Sequence, residues 1–389
     1  MRVLIAFDKF KGSLTALAAC DVTARALRAR HRRWELDLCP LTDGGEGFVN
    51  ILTRAAGGQA VPLKVMGPRG GLVDAPLGIV AWQEIPAPAR RLLRLPVRTP
   101  GSRTTIAVVE TAAASGLHLL PLEQHDPWRT TTHGTGQLIR AAAELGAAAI
   151  VLGVGGSATI DLGLGALAAL GLEFRSAAGG RIRPPLPARW EQIASLEGEV
   201  YQSIPPLCIA CDVTNPLFGR NGAAAIYGPQ KGLVPEDRPR FEAAMRRMSR
   251  LLRNHCCRPS FPTVTPGTGA AGGLPFGLMV AAGARLVAGF DLVSAWLDLP
   301  ARVAAADIVI TGEGRFDETS LSGKGPGAVA TKARTLGKIV HIFAGSLGVT
   351  ESSEDWHLHP ITPRDCPLER AQREAPELLA RSIRAAFYT

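Results

Sequence analysis

The chain has 389 residues, more than a single hydrophobic core usually supports, and its length therefore predicts two domains. Its 46% hydrophobic and 20% charged residues are typical of a globular protein and exclude an intrinsically disordered one. The formal net charge of +9 comes largely from arginine clusters such as Arg28 to Arg33 and Arg238 to Arg253. Since aromatic residues make up only 5%, these clusters favour a solvated basic surface over a nucleic-acid interface.

The sequence shows no signal for export or for membrane insertion. No apolar run reaches about 18 residues. The opening residues, MRVLIAFDKFKGS, lack the long apolar segment and the cleavage site of a signal peptide. Seven cysteines, an odd number, argue against a disulfide framework. We therefore expect a soluble cytoplasmic protein with neither a membrane nor a nucleic acid as partner.

Both ends of the chain predict alternating strands and helices. Continuous apolar runs indicate buried strands, and apolar residues at helical spacing indicate helices packed on them. The predicted elements are a strand at 2–7, a helix at 15–32, a strand at 35–41, a strand at 306–311, a helix at 328–336, a strand at 338–343 and a helix at 368–387. This alternation predicts one Rossmann-like (flavodoxin-like) parallel-sheet domain, residues 1–70 plus 286–389.

The middle of the chain predicts a domain of different character. Its first half contains extended segments that are broken by Pro and Gly and look antiparallel, at 61–65, 77–82 and 105–110. Then come a helix at 135–145, a strand at 148–153 and a glycine-rich helix entry at 155–170. We therefore predict an inserted mixed α/β domain at 71–285, with the active-site cleft between the two domains.

Five loops lie just past predicted strands, where open α/β sheets bind their ligands. In the first loop, Asp8 and Lys11 are opposite charges that packing does not require, so they point to function, whereas Ser13 is predicted to cap the following helix. The second loop, Asp43 to Gly47, has two acids separated by two glycines. That pattern suits a ligand-binding loop and an acidic helix start equally well.

The third loop, Gly153 to Gly165, places a glycine turn before Ser157 and suits phosphate binding by backbone amides. It is not a Walker A loop, because no Gly-Lys-Ser/Thr follows the glycines. A dinucleotide fingerprint matches these glycines only weakly, since no acid is well placed on a following strand. Asp161 is the candidate metal or substrate ligand in this loop.

The fourth loop, Cys211 to Gly219, is followed by Gly228 to Gly232. It offers the hard oxygen atoms of Asp212 and Asn215, which Mg²⁺ accepts as ligands. Its first cysteine belongs to a C-x-x-C pair, but no second pair at a suitable spacing completes a zinc site. We therefore interpret the cysteines as small buried residues.

The fifth loop, Thr311 to Lys324, contains Glu313, Arg315, Asp317 and Lys324. Charges that follow a buried strand would be costly to bury without partners, and a ligand that carries both metal and phosphate would pair with them. Acids for Mg²⁺, glycines for phosphate approach and Lys or Arg for charge are together the components of phosphoryl transfer.

Ten short motifs, spread in order from the first strand to the last helix, resemble the type 1 glycerate kinase family. They are FDKFKGSLTA, TDGGEGF, VVETAAASGL, THGTGQLI, GVGGSATIDLGLGALAALG, ACDVTNPLFG, YGPQKG, GTGAAGGLPFG, ITGEGRFDETSLSGKGP and IFAGSLG. The resemblance implies transfer of the γ-phosphoryl group of ATP to a hydroxyl of glycerate with Mg²⁺, giving 2-phosphoglycerate. The expected assembly is a homodimer.

The resemblance further implies roles for individual residues. The catalytic candidates are Asp8, Lys11, Asp43 and Arg315. The substrate-binding candidates are Asp43, Gly44, Gly45, Glu46, Ser157 and Lys231. The candidates for binding ATP are Gly155, Gly156, Asp212, Asn215, Gly312 and Lys324. The candidates for holding Mg²⁺ are Asp212, Glu313 and Asp317. One carboxylate, that of Asp43 or Asp8, is predicted to deprotonate the attacking hydroxyl.

The chain departs from the family pattern in three of these loops, and in the fifth Thr319 stands where the family often has Gln. Lys9 stands where the family tends to have Ser, and Ile160 and Leu162 stand where it tends to have Asn and Gly. Two alternatives therefore stay open. One is a kinase for another small hydroxy acid, and the other is a non-catalytic metabolite-binding regulator on the same scaffold.

Overall fold

The computed structural model describes residues 1–95, 104–321, 323, 325–349 and 355–388. The chain divides into two compact units: unit 1 is Met1–Asp43 with Val293–Thr389, and unit 2 is Gly44–Leu292. Both units are mixtures of strands and helices, so the predicted α/β class is confirmed. The sequence-based domain boundaries, at 70/71 and 285/286, remain a prediction.

The described residues form thirteen strands and fourteen α-helices besides several short 3-10 turns. The strands are β1 Arg2–Phe7, β2 Glu35–Leu38, β3 Gln59–Met66, β4 Leu72–Ala81, β5 Thr105–Glu110, β6 Ala149–Gly153, β7 Glu173–Ser176, β8 Ile193–Glu197, β9 Leu207–Ala210, β10 Arg285–Val287, β11 Ile308–Phe316, β12 Ile339–Leu347 and β13 Trp356–Pro360. The helices are α1 Ala16–Arg28, α2 Phe48–Ala55, α3 Ala87–Leu93, α4 Thr111–Ser115, α5 His133–Glu144, α6 Leu164–Ala169, α7 Ala223–Tyr227, α8 Arg238–His255, α9 Leu274–Ala282, α10 Gly289–Trp296, α11 Leu299–Ala305, α12 Gly325–Thr335, α13 Leu368–Arg373 and α14 Ala375–Phe387.

Unit 1 is built on a five-stranded sheet of order β13-β12-β11-β1-β2, in which every neighbouring pair is parallel. Strand β1 lies between β11 and β2, and its residues Val3–Phe7 are fully buried, as its apolar run predicts. The sequence analysis did not predict β13, because its Trp-His-Leu-His-Pro segment lacks the continuous apolar run of the other strands; β13 lies at the sheet edge. The carboxyl ends of all five strands meet at one edge, where unit 1 carries its charged loops.

Two predicted helix details in unit 1 are wrong. The cap of α1 is Thr15, whose Oγ1 accepts a hydrogen bond from the Ala18 amide at 3.1 Å, and not Ser13. Ser13 instead donates to the Phe10 carbonyl, because a turn with Gly12 at φ +75° delays the helix start. The predicted final helix is two helices that meet at Glu374, since Pro376 cannot donate to a preceding carbonyl.

Unit 2 contains a six-stranded sheet of order β10-β9-β6-β5-β4-β3. Strands β3, β4 and β5 pair antiparallel, as their sequences predict, and β5, β6, β9 and β10 pair parallel. The carboxyl ends of β5, β6 and β9 therefore lie along one edge, and the third and fourth loops start there. None of the helices in the described ranges combines the length and apolar character needed to cross a membrane.

Within the glycine-rich helix entry predicted at 155–170, helix α6 itself starts at Leu164. Residues 154–163 form a loop in which Gly156 and Gly163 both have φ +72°. This left-handed backbone cannot continue a right-handed helix and favours glycine over other residues. The loop thus reaches the edge of the unit 2 sheet as irregular backbone.

Candidate active site

Unit 1 brings three predicted carboxylates together at the carboxyl edge of its sheet. Asp8 follows β1, Asp43 lies in the loop after β2, and Glu313 lies on β11 just past the point where Phe7 pairs with Gly312. The negative charges of Asp43 and Glu313 both act on Asp8. The sequence placed these residues after strands, and the parallel order of the sheet puts them within electrostatic reach of one another.

Asp8 has the most useful protonation behaviour of the three. Burial, and then the negative charge of Asp43, raise the pKa of Asp8 to about 7. The positive charge of Lys9 and a hydrogen bond of 2.6 Å from the Lys9 amide to Oδ1 act in the opposite direction. A carboxylate with a pKa near neutrality can accept a proton during a reaction and release it afterwards.

Lys9 is a site residue that sequence reasoning missed. Its Nζ lies 3.0 Å from Asp43 Oδ1, and its side chain is only 13% exposed whereas that of Asp43 is 54% exposed. Lys9 therefore partly neutralises the carboxylates around it. The signal that could have identified it is the exchange of the family's small Ser for a long cation between Asp8 and Lys11.

The fifth loop contributes a second charged group to unit 1. Burial raises the pKa of Glu313, with Asp317 acting in the same direction and Lys11 in the opposite one. Hydrogen bonds from Thr319 lower the pKa of Asp317, which also pairs with the guanidinium of Arg315 at 2.9 Å. Arg315 is 74% exposed, so most of its donors face solvent and can meet an anionic ligand.

Unit 1 can offer Mg²⁺ one or two carboxylate ligands, but its described residues do not supply a complete set of protein ligands. Within the ranges the structure describes, no three His, Cys, Asp or Glu side chains are arranged to hold a metal ion. Mg²⁺ commonly keeps waters and substrate phosphates and takes only one or two protein carboxylates. Glu313 and its electrostatic neighbour Asp317 fit that need. Asp212 belongs to unit 2, and its metal role stays a sequence prediction.

The fifth loop also contains the predicted nucleotide-binding residues Gly312 and Lys324, whose ligand roles stay predictions. Gly312 lies on β11, and a Cβ at its position would come within 1.8 Å of the Phe343 carbonyl oxygen on the neighbouring strand. Packing between strands therefore explains this glycine without a ligand. Lys324 lies outside the described residues.

Unit 2 packs its two glycine loops backbone to backbone. The Gly155 amide donates to the Gly44 carbonyl at 3.0 Å. A Cβ on Gly153 would lie 2.4 Å from the Gly44 oxygen, and a Cβ on Gly155 would lie 2.7 Å from the Gly45 Cα. Glycine at these positions serves loop-to-loop contact, so any ligand must approach from the side that this contact leaves open, where Gly156 is exposed.

Glu110, at the end of β5, is a second residue that the sequence analysis missed. It is buried, and its two carboxylate oxygens accept hydrogen bonds from the amides of Gly47 and Val49 at 3.2 and 3.1 Å. It therefore fixes the turn that follows the predicted substrate residue Glu46. The side chain of Glu46 is itself exposed and lies 3.8 Å from His118 Nδ1.

Asp161 is a structural acceptor and not an available ligand, which corrects the sequence interpretation. It is completely buried and accepts hydrogen bonds from the amide and hydroxyl of Thr132, both at 2.8 Å. The amides of Gly163 and Gly165 donate to it as well. Burial raises its pKa, and these donors oppose the rise.

The two departures beside Asp161 are packing residues. Ile160 and Leu162 are fully buried in the hydrophobic core of unit 2. Leu162 has φ +57°, a left-handed conformation in which the family's glycine would be unstrained. At these two positions the chain therefore has apolar side chains that pack in the core, whereas the family's Gly at the second position would leave the backbone less constrained.

Lys231 is buried, and its side chain reaches the third loop. Its Nζ donates to Ser157 Oγ at 2.8 Å and to the Thr159 carbonyl at 2.9 Å, and only 2% of the residue is exposed. Burial lowers the pKa of Lys231 to about 7, although Asp161 favours the charged form. Two of the predicted substrate residues, Ser157 and Lys231, are therefore brought together, and Lys231 holds the third loop in place.

The fourth loop uses its polar side chains to hold its own shape. Asn215 donates to the Asn221 carbonyl at 2.9 Å and accepts from the Tyr227 hydroxyl at 2.6 Å. Asp212 Oδ1 accepts from the Phe290 amide at 3.0 Å, at the start of α10. The predicted ligand atoms of this loop are thus oriented by neighbouring segments of unit 2.

Comparison with known proteins identifies the family. The family model described as the glycerate kinase family matches residues 3–389, which is nearly the whole chain. The chain belongs to the glycerate kinase family. The predicted membership is therefore confirmed, and with it the assignment as an enzyme of a kinase family.

Individual members of the family align with this chain over most of its length. A glycerate kinase of Bacillus subtilis (strain 168) is 36% identical over 99% of this chain and 96% of its own. A glycerate 2-kinase of Escherichia coli (strain K12) is 36% identical over 93% of this chain and 89% of its own. A crystal structure provisionally assigned as glycerate kinase 2 of Salmonella typhimurium LT2 superposes with a TM-score of 0.74 at 36% identity, covering 99% of this chain and 97% of that one.

Proposed function

We propose that the protein transfers the γ-phosphoryl group of ATP to a hydroxyl of glycerate and forms 2-phosphoglycerate. The observation that carries the proposal is the carboxylate group of unit 1, in which Asp8 has a pKa near 7 beside Asp43, Lys9 and Glu313. Membership in the glycerate kinase family supplies the substrate class, and the E. coli relative named glycerate 2-kinase supports the position of the new phosphate.

Asp8 is the general base in this proposal. The hydroxyl oxygen of glycerate attacks the γ-phosphorus, the bond from phosphorus to the β–γ bridging oxygen breaks, ADP leaves, and the hydroxyl proton passes to Asp8. Of the two carboxylates predicted from sequence, Asp8 suits this task better, because Asp43 is 54% exposed and pairs with Lys9. Asp43 then acts by raising the pKa of Asp8.

The remaining groups bind and neutralise charge. Bound Mg²⁺, held by Glu313 and Asp317, would supply charge neutralisation for the phosphates. Lys11 and the exposed guanidinium of Arg315 offer cations for the transferred phosphoryl group or for the glycerate carboxylate. In unit 2, the proposed backbone ligands are Gly155 and Gly156 for ATP and Gly44 and Gly45 for glycerate.

A coupled ADP-release assay with D-glycerate tests the proposal, followed by NMR of the product to locate the phosphate. We expect Asp8→Asn to lower kcat by about 10²- to 10⁴-fold, which is the usual contribution of general base catalysis. A panel with D-glycerate, L-glycerate, tartronate and glyceraldehyde separates glycerate from other hydroxy acids. Glycerate binding without any ATP turnover would replace the kinase with a metabolite-binding regulator.

The cytoplasm is the proposed compartment, and a homodimer is the proposed assembly. Free thiols at all seven cysteines are consistent with a reducing compartment. Size-exclusion chromatography with light scattering tests the assembly, and a mass of about twice 41.0 kDa is the expected result.

A further inference from the structure

A cavity of about 310 Å³ lies in unit 2 beside α8, apart from the glycine loops described above. Its lining combines an aromatic ring, two hydroxyl groups and three guanidinium groups. The lining residues are Phe218, Ala243, Arg246, Ser249, Arg250, Arg253 and Thr263. A concave surface with this composition presents positive charge and hydrogen-bond donors to anything that enters it.

The arginines fall on one face of α8 because of their spacing. Arg246, Arg250 and Arg253 are separated by four and then three residues, so they stack along the helix toward the cavity. Like charges at this spacing repel each other and destabilise a helix. Within the part of the chain that the structure describes, Glu242 is the one carboxylate that forms an ion pair with any of these three arginines, so the face keeps a net positive charge.

The three guanidinium groups differ in what they already bind. Arg246 pairs with Glu242 at 2.5 Å and lies over the Phe218 ring at 4.4 Å. Arg253 donates to the carbonyls of Pro259 and Phe261 at 2.9 and 3.1 Å. Within the described ranges, no hydrogen bond or ion pair engages Arg250. Arg250 therefore has all its donors available for a ligand, and the other two keep some of theirs.

The cavity is joined to the fourth loop. Phe218 belongs to that loop, and the Gly219 amide donates to Glu242 Oε1 at 3.1 Å, the same oxygen that Arg246 binds. An anion that draws Arg246 toward itself would compete with Glu242 for this guanidinium. The hydrogen bond from the Gly219 amide to Glu242 would then change. A ligand in the cavity would thereby alter the conformation of the loop that carries Asp212 and Asn215.

We propose that this cavity is a second anion site, which takes a small phosphorylated metabolite and acts on the fourth loop. Its volume is at the low end for ligand pockets, which suits inorganic phosphate or a phosphorylated three-carbon acid better than a whole nucleotide. Guanidinium groups bind phosphate oxygens in pairs, and the Thr263 hydroxyl adds a neutral donor. The inference does not rest on the kinase reaction, because binding here is measurable without turnover.

Calorimetric titration of the full-length protein with inorganic phosphate, and separately with 2-phosphoglycerate, tests the site at constant ionic strength. Arg250→Gln removes the uncommitted guanidinium and is expected to weaken binding about 10- to 100-fold. Arg238→Gln is the matched control, since it removes the same charge from the same helix outside the cavity lining. Binding within twofold of wild type is expected for this control.

Hydrogen exchange of residues 211–222, measured with and without inorganic phosphate, tests the link to the loop. We expect a change in exchange in the wild type and in Arg238→Gln but not in Arg250→Gln. Equal phosphate binding by wild type and Arg250→Gln would overturn the site, and equal loss in both variants would reduce it to a general effect of positive charge. Intact binding with unchanged exchange would overturn the link to the loop.

Discussion

At the scale of single residues, burial raises the pKa of Asp8, and two neighbours of opposite charge then adjust it. Asp43 raises the pKa of Asp8 and Lys9 lowers it. If Asp8 is the base, the acidic limb of kcat/KM reports its pKa in the free enzyme and lies near pH 7. Activity is then lost as the pH falls below this value, because Asp8 becomes protonated.

We expect Asp43→Asn and Lys9→Met to move this limb in opposite directions. Without the Asp43 charge the limb moves to lower pH, and without the Lys9 charge it moves to higher pH. Lys64→Met is the matched control, since it breaks a 3.0 Å pair with Asp74 in unit 2. Shifts of equal sign in the first two variants would show that Asp8 is not the titrating group.

Lys231 makes a prediction about stability, because burial lowers its pKa to about 7 from 10.5. Between these two values the unfolded chain holds a proton that the folded chain has lost, so raising the pH favours folding. We expect the free energy of unfolding of the wild type, relative to Lys231→Met, to rise between pH 7 and pH 10. Its slope is at most about 1.4 kcal/mol per pH unit.

Urea denaturation at several pH values measures this slope. The exposed Lys64→Met again serves as control, and its stability should run parallel to that of the wild type. A constant difference between the wild type and Lys231→Met across this range would mean that Lys231 stays charged in the folded protein.

At the scale of elements, one residue of the loop between β6 and α6 is both strained in its backbone and packed in the core. Leu162 is fully buried but has φ +57°, a backbone conformation that costs an L-residue about 1–2 kcal/mol. We expect Leu162→Ala to lower the free energy of unfolding by about 2–4 kcal/mol, because it loses core packing and keeps the strain.

Leu162→Gly should be more stable than Leu162→Ala by about 1 kcal/mol, since glycine adopts the left-handed conformation without strain. Thermal and chemical denaturation of the three proteins give both differences. A glycine variant less stable than the alanine variant would show that the left-handed backbone at this position carries no strain.

At the scale of the whole molecule, unit 2 is a continuous segment with its own hydrophobic core. We expect residues 44–292, expressed alone, to fold with a cooperative thermal transition followed by circular dichroism. The sequence-predicted segment 71–285 lacks α2 and β3, so strand β4 loses one of its two neighbours. Cooperative folding of 71–285 alone would favour the sequence-based boundary.

The sequence by itself determined the α/β class, the strands β1, β11 and β12, and the family. These follow from local patterns, because apolar runs mark buried strands and motifs in a fixed order mark ancestry. It also placed Asp8 and Asp43 after strands, whereas Glu313, predicted to follow a strand, lies on β11. The parallel sheet of unit 1 explains why the three residues lie near one another.

Only the tertiary structure decided what the buried polar groups do. Asp161 looked like a ligand and is a buried acceptor, Lys231 ties a loop in place, and Glu110 fixes a turn. The physical reason is that desolvation and long-range hydrogen bonds depend on which segments meet in space. Residue spacing along the chain does not contain that information.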